Sequence, residues 1–343
     1  MVFNTSDNCY SVSRFQVNQT PGLGNYTTIA SAIAAASQGD TIFIMPGIYV
    51  ENLILKVGVS FSGFCLGGGA AEATKIKGKI LDNGVSSTAT FTGICLETNA
   101  DEFLELTAAS SSVTFDRCQF RSVDATGMAI GAGCTVMAFL CTSNITTTGI
   151  GLYTGAGSLQ WRQCNMQNSG QTLTASSSSG SSQYIDCVVG MPIATSGIGS
   201  ITAESTLFDT AIINTTSITT AGTGSSLLLN CTVSSGSASA IDAGVGTVVQ
   251  LLNSNASSSN ANAITGAGQV SVGVLNLYGT SKVINTTTQV PVTVIPGAIK
   301  ITTPGAYPYT ANPFDGMILV DSSSARTINL PASPTQGARG RRQ

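Results

Sequence analysis

The sequence predicts an all-β parallel solenoid, a β-helix built from coils of about 23 residues, on three observations. Cys95, Cys118, Cys141, Cys164 and Cys187 follow one another at four equal steps, one coil apart. The residues around them recur at the same step, and a glycine closes a turn of small residues once in each period. Between these marks, apolar residues alternate with Ser, Thr and Asn, the period-two pattern of strands.

The recurrence can be read directly in Phe115-Asp-Arg-Cys118-Gln-Phe120, Trp161-Arg-Gln-Cys164-Asn-Met166 and Tyr184-Ile-Asp-Cys187-Val-Val189. It continues in Leu228-Leu-Asn-Cys231-Thr-Val233, and Leu251-Leu-Asn-Ser254-Asn-Ala256 puts serine in the cysteine slot. The turn glycines are Gly133, Gly157, Gly180, Gly199, Gly224, Gly246 and Gly268, whose mean interval is close to the cysteine step. Glycine suits a corner that needs a positive φ or a tight turn. The Leu/Asn signature of leucine-rich repeats is missing, as are the apolar spacings of three and four that helical repeats require. Three short strands and their turns use up one period. Stacked coils pair in parallel at about 4.8 Å, so equivalent side chains form ladders, and nine or ten coils give a rod roughly 45 Å long.

Composition narrows the function classes. Apolar residues make up 42% of the 343 and charged residues 9%, against about a quarter charged in ordinary soluble domains. Disordered chains have the opposite balance, so this one is expected to fold. The net charge is −3, and the fourteen basic residues form no sustained patch. From Gln163 to Ser281 there are four acidic residues and no basic one, which is no footprint for nucleic acid, whose phosphates demand cations. Lys75, Lys77 and Lys79 line one face of a short strand, read as a solvated face in preference to a docking stripe for an acidic partner. No apolar run is as long as a membrane span, so no membrane insertion is expected. The opening Met-Val-Phe-Asn-Thr-Ser-Asp lacks the basic and apolar regions of a secretory signal. An extracellular or virion-surface location is expected, reached by a virion, by lysis or by dedicated secretion. The Asn-x-Ser/Thr triplets at Asn18, Asn25, Asn144 and Asn214 are then expected to be unmodified.

The cysteine ladder has two readings. A thiol is a small apolar side chain that stacks well inside a coil; a column of thiols is also soft-metal or disulfide chemistry. Metal sites bring ligands together from several directions and favour close pairs such as C-x-x-C. One cysteine per coil, in a chain with no histidine, favours the structural reading. Nine cysteines are an odd number, which also agrees with reduced thiols.

Ahead of the coils, Asn25-Tyr-Thr-Thr-Ile-Ala-Ser-Ala-Ile-Ala-Ala-Ala-Ser-Gln-Gly-Asp40 reads as an amphipathic helix over about residues 28–37. Ile29, Ile33 and Ala36 share a face, Thr27 or Thr28 caps the start and Gly39 ends it. Such a helix shields the open edge of the first coil. Together with the strands after it, the run "TTIASAIAAASQGDTIFIMPGIYVENLILKVGVSFSGF" resembles the opening of the pectin-lyase-like superfamily of right-handed parallel β-helices. The shared order is helix, Gly-Asp turn, strand, Pro-Gly-x-Tyr-x-Glu, then a Gly-ended strand. The close match runs from Thr27 to Phe64, and the coil pattern extends the looser likeness to about Val294. The resemblance implies a right-handed β-helix over residues 25–294, after an N-terminal segment 1–24. It implies no particular activity, since the superfamily holds enzymes, tailspikes, adhesins and inert structural proteins.

The enzyme motifs of the superfamily do not recur here. The Gly-x-Gln-Asp-Thr-Leu and Asp-Phe-Ile-Phe-Gly motifs of pectin methylesterases are absent, as are the Asn-Thr-Asp, Gly-His-Gly and Arg-Ile-Lys motifs of polygalacturonases. The nearest approach to a carboxylate cluster is Glu97, Asp101, Glu102, Glu105, Asp116 and Asp124, with Arg117 and Arg121 beside it. Asp101 and Asp124 each stand six positions after a ladder cysteine, one coil apart. Such a pair suits Ca²⁺ or glycosidase chemistry, and it suits two solvated turn residues equally. The sequence therefore assigns no catalytic residue, no cofactor and no metal.

Residues 295–343 form a C-terminal β segment. "YPYTANPFDGMILVDSSSARTINLPASPTQG" resembles a small module near the ends of phage tail-fibre and related virus-like surface proteins. Ala338-Arg-Gly-Arg-Arg-Gln343 departs from that module's apolar continuation, so a truncated module, a frameshift remnant and a basic docking tag all fit. Residues 296–336 are expected to cover the last coil or to mediate assembly. The whole reads as a non-catalytic structural or attachment fibre protein of a phage or virus-like particle, self-associating as a trimer or filament, with a surface glycan as partner. A polysaccharide lyase or glycoside hydrolase on the same fold is the competing reading, with a bacterial adhesin or filament subunit beside it.

Overall fold

The computed structural model describes residues 15–22, 25–64, 73–98, 102–122, 127–145, 152–168, 176–211, 215–258, 263–272, 275–276 and 292–294, with four dipeptides between 301 and 329. The chain divides into two compact units, residues 1–191 and 192–343. Each is built of short parallel strands, one set of three per coil.

In the first unit a wide sheet carries strands Phe15–Val17, Thr41–Ile44, Val59–Ser62, Thr88–Thr92, Ser112–Asp116, Thr135–Phe139, Ser158–Arg162 and Ser181–Ile185. Each pairs in parallel with the next. A second sheet runs from Gly47–Val50 through Gln119–Ser122 to Val188–Val189, and a third from Leu53–Ile54 to Tyr153–Gly155. Alternation decides which residues turn inward. Ile42, Phe61, Phe91, Phe115, Ala138, Trp161 and Tyr184 occupy one register column, and none is more than 1% exposed. Phe61 stacks on Phe91 with ring centroids 4.5 Å apart, and Phe91 on Phe115 at 5.5 Å. Such pairs add about 0.5–1.5 kcal/mol each beyond the area they bury. From Phe115 onward every step in this column equals the step from Cys118 to Cys141, the predicted coil length.

The bend between the wide and second sheets is a single left-handed residue. Arg117, Leu140, Gln163 and Asp186 hold φ between 51° and 54°, and Gly93 takes the equivalent place at 62°. An L-residue pays about 1–2 kcal/mol for this conformation, and the stack of neighbouring coils imposes it. At the opposite corner the coils approach so closely that glycine is required: a Cβ on Gly180 would stand 2.1 Å from the Gly157 carbonyl oxygen.

The predicted helix forms, but it is shorter, Ile29–Ala35, and buries Ile29, Ala32 and Ile33. It ends before Gly39, because Ala36 is already extended; Gly39, at φ 90°, serves the turn into the next strand. Its caps explain the motif that carries the family resemblance. Thr28 accepts from the Ser31 amide, and the Glu51 carboxylate accepts from the Ile29 and Ala30 amides at 2.8 and 2.9 Å. Lys56 donates to the Ala34 carbonyl at the far end. Tyr49 donates to the Met45 carbonyl at 2.9 Å. The Glu of the Pro-Gly-x-Tyr-x-Glu run thus clamps coil to helix, while its Tyr ties the strand back to the turn at Met45. The strand Phe15–Val17, ahead of the helix, has no counterpart in the sequence reading; it pairs with Thr41–Ile44.

The second unit repeats the plan. Ser200–Glu204, Ser225–Leu229, Val248–Leu252, Gln269–Val272 and Val292–Val294 form one sheet. Leu207–Asp209, Thr232–Ser235, Ser254–Ser258 and Leu275–Asn276 form another, and Ile193–Thr195 to Ile264–Gly266 a third. Ser205, Asn230 and Asn253 hold the left-handed corner here, and the Asn253 amide donates to the Asn230 side-chain oxygen at 2.7 Å. Beyond Val294, Ile301–Thr302 pairs in parallel with Met317–Ile318, and Tyr309–Thr310 with Ile328–Asn329.

Candidate functional site

The thiol ladder is built on the left-handed corner. That corner leaves the carbonyl two residues before each ladder position pointing along the stack, and the next side chain turns in to meet it. Cys118, Cys141 and Cys164 donate to the carbonyls of Asp116, Phe139 and Arg162 at 3.3–3.5 Å. Each also lies within 3.3–3.6 Å of a carbonyl in the preceding coil, those of Phe91, Phe115 and Ala138. The Cys141 sulfur in turn accepts from the Cys118 amide. In the second unit Cys231 keeps the bond to its own strand, and Ser254, which sequence placed in the cysteine slot, accepts from the Cys231 amide at 3.0 Å. Thr206 fills the same slot and donates to the Glu204 carbonyl. Sequence missed it because no cysteine marks it. The slot selects a small side chain that can donate or accept, with no further chemistry needed.

Cys95 is the exception to the predicted ladder. It pairs in register with Lys75 and Gln119, and the residue opposite Cys118 is Ile94. Phe91 pairs with Phe115, so the coil that begins at Phe91 is longer by one than those running from Phe115 to Tyr184, and the equal spacing of Cys95 is coincidence. Cys95, Cys118, Cys134, Cys141, Cys164, Cys187 and Cys231 are all buried thiols outside any disulfide. The Cys164 thiol is pushed up to about 12, first by its bond with the Cys141 thiol and then by burial; Cys141 and Cys187 are displaced upward as well, with the neighbouring thiol first among the causes. Soft-metal binding and exchange both need thiolate, and this environment opposes it. Among the described residues no group of three or more His, Cys, Asp or Glu converges as a metal-binding set.

The described carboxylates of the acidic cluster sit in ion pairs. Glu97 pairs with Lys77 at 2.7 Å, Glu102 and Glu105 with Lys79, and Asp116 with Arg117 at 2.8 Å. Lys77 and Lys79 of the lysine stripe are therefore the counter-charge to three of the carboxylates. Arg121 stands beside Glu97 in register, and its buried Nε has no hydrogen-bond partner among the described residues. Asp101 and Asp124 lie outside the described residues.

Sequence reasoning missed the most engaged carboxylate. Asp82 is 1% exposed and accepts from the Thr107 and Ala108 amides, both at 2.8 Å, from the Thr107 and Ser111 hydroxyls, and from the Gly84 amide. Burial pushes its carboxyl up, but these bonds outweigh it and hold the group below the usual carboxylate range. Every partner is a donor in its own turn or in that of the next coil, so the group locks two turns together. No spacing announced it; Asp82-Asn-Gly84 reads simply as a turn.

Outward-facing hydroxyls line up across three strands of the wide sheet. On the outer face of the wide sheet Ser60, Thr90 and Thr114 form one register column and Thr88 and Ser112 another. They line a shallow cavity of about 140 Å³ with Gly58 and Ala89.

Comparison with known proteins follows the architecture. No protein-family model matches the chain, and no curated protein matches it. Solved structures that match include the A-module of the Azotobacter vinelandii mannuronan C-5 epimerase AlgE4, at 13% identity over 78% of this chain and 93% of that one, TM-score 0.39. Pectin methylesterase from carrot matches at 12% identity, covering 84% and 90%, TM-score 0.38. Tailspike protein 3 of bacteriophage CBA120 matches at 9% identity, covering 85% and 64%, TM-score 0.29. Matches at this level carry no activity across to the chain. No helix among the described residues is long and apolar enough to cross a membrane.

Proposed function

We propose that this chain is a non-catalytic structural or attachment protein of a phage or virus-like particle, which presents a polar solenoid surface to a cell-surface glycan. One observation carries the reading: the described carboxylates of the acidic cluster, Asp82 and the ladder thiols are engaged within the protein, while the outer face of the wide sheet offers ladders of neutral hydroxyls. Glu97, Glu102, Glu105 and Asp116 sit in ion pairs, Asp82 is caged by five donors, and the ladder thiols face carbonyls. A general acid–base pair needs carboxyls free to exchange protons with a substrate. Hydroxyl ladders match the donors and acceptors of sugars, and self-association as a trimer or filament would multiply weak contacts into useful avidity.

The test is adsorption. Purified full-length chain, mixed with bacteria that carry intact surface polysaccharide, is expected to sediment with the cells and to be displaced by the isolated polysaccharide. A chain that stays in the supernatant with every host able to support the particle would overturn attachment.

A further inference from the structure

We infer that the hydroxyl-lined cavity on the wide sheet of the first unit is a binding site for an uncharged oligosaccharide segment. The inference rests on the attachment reading above and gives it a location and a ligand class. Three neighbouring strands, Val59–Ser62, Thr88–Thr92 and Ser112–Asp116, bring five hydroxyls to one depression: Ser60, Thr88, Thr90, Ser112 and Thr114. Their spacing across the strands is that of a parallel ladder, about 4.8 Å. Each hydroxyl both donates and accepts, as a sugar hydroxyl does.

Two features suit this patch to a sugar. Its five hydroxyls have no hydrogen-bond partner within the protein among the described residues, whereas Ser158 and Ser181 on the same face bond to each other at 3.1 Å. The rim also supplies what sugar recognition adds to hydrogen bonding. Gln38 folds over Gly58, so closely that a Cβ there would stand 2.6 Å from the Gln38 Cγ; the missing side chain brings an amide to the edge of the cavity. Phe43, 38% exposed, stands on the adjoining strand in register with Ser62 and offers an apolar ring face for the C–H side of a pyranose.

Charge selects the ligand class. The lining carries no ionisable group, and the nearby Asp116 is engaged with Arg117. An anionic uronate would leave its hydration for a surface with no cation to receive it, whereas a neutral glycan exchanges one set of hydroxyl bonds for another. The depression is smaller than the pockets of about 300–1,000 Å³ that enclose small molecules. A single site should therefore bind weakly, with a Kd on the order of 1 mM, and depend on multiple copies for strength.

The experiment is saturation-transfer NMR on the full chain with cellohexaose, maltohexaose and chitohexaose, and with hexagalacturonate as the anionic probe. At least one neutral hexasaccharide is expected to bind in the millimolar range and to shift the methyl resonances of Thr88, Thr90 and Thr114, with hexagalacturonate weaker. Thr90→Val with Thr114→Val removes two hydroxyls, keeps the β-branched shape, and should weaken binding at least tenfold; Thr202→Val in the second unit should not. The methyl shifts of the unmodified chain test the site even if the double variant is unstable. The inference is overturned if no neutral probe binds, if hexagalacturonate is preferred, or if the double variant folds and binds as before. Any of these results with cell adsorption intact removes this site alone; their occurrence together with lost adsorption removes the attachment reading as well.

Discussion

Replacing Asp82 tests whether buried polar locks, rather than chemistry, account for the carboxylates of this chain. In Asp82→Ala the Thr107 and Ala108 amides lose a shared acceptor at 2.8 Å, and two hydroxyls and the Gly84 amide lose theirs. The hydroxyls can rotate toward other acceptors; the two close amides cannot. A fully buried donor left unsatisfied costs about 1–3 kcal/mol; both amides are only part-buried, so the expected loss is about 2–4 kcal/mol. Asp82→Asn keeps one oxygen for those two amides and Ser111 but turns an NH₂ toward the Gly84 amide and loses the charge assistance, for about 2 kcal/mol. The sign with pH follows from the lowered carboxyl. Its stabilisation is complete above the ordinary carboxylate value of 3.8 and is lost as pH falls through the lower folded-state value, so the gap between wild type and Asp82→Asn should narrow on acidification. Solenoids need not unfold in one step. Hydrogen exchange of the 104–111 segment should therefore be followed together with the urea midpoint. A variant that leaves exchange at Thr107 and Ala108 unchanged, or a gap that does not vary with pH, would refute the lock.

Three further outcomes are expected. Leu140→Asn should stabilise the chain by about 1 kcal/mol in urea unfolding, because asparagine tolerates the left-handed corner better than leucine and Leu140 is half exposed. Glu51→Ala should cost about 1–2 kcal/mol by freeing the Ile29 and Ala30 amides, seen as faster exchange in the helix. Cys164, raised to about 12, should be about one part in ten thousand thiolate at pH 8. Alkylation of the native chain should leave Cys118, Cys141, Cys164 and Cys187 unmodified until denaturant is added; rapid labelling of all four would place them outside the core.

The coil plan was legible because a solenoid writes the same constraint into every turn. The alternation of Phe115, Trp161 and Tyr184 with polar neighbours, and the recurring cysteine, each mark one position of a repeated cross-section. The reading slipped where a single coil departs from the period. Cys95 keeps the common step while the pairing of Phe91 with Phe115 is longer by one; matching the phenylalanines, which fill the core, would have found the register that a small thiol does not enforce. The site was less legible for a different reason. Asp82 and the hydroxyls of Thr88, Thr90 and Thr114 are ordinary turn and strand residues in sequence, and acquire their roles only from the coil that stacks beside them. The Glu51 and Lys56 caps were hidden likewise, since Glu51 meets Ala30, and Lys56 meets Ala34, only once the coil has brought distant stretches of chain together.

The central claim is that this solenoid holds a polysaccharide without transforming it. The most direct measurement is NMR of the surface polysaccharide of a host the chain adsorbs to, recorded before and after prolonged incubation with a stoichiometric amount of the full chain, with and without Ca²⁺. Pectin, pectate and alginate serve as additional substrates. The account predicts unchanged linkages, ester content and sugar configuration in every sample, with the host polysaccharide bound. New reducing ends, unsaturated termini, lost esters or inverted C-5 centres that disappear in Asp101→Ala or Asp124→Ala would contradict it and make the chain an enzyme.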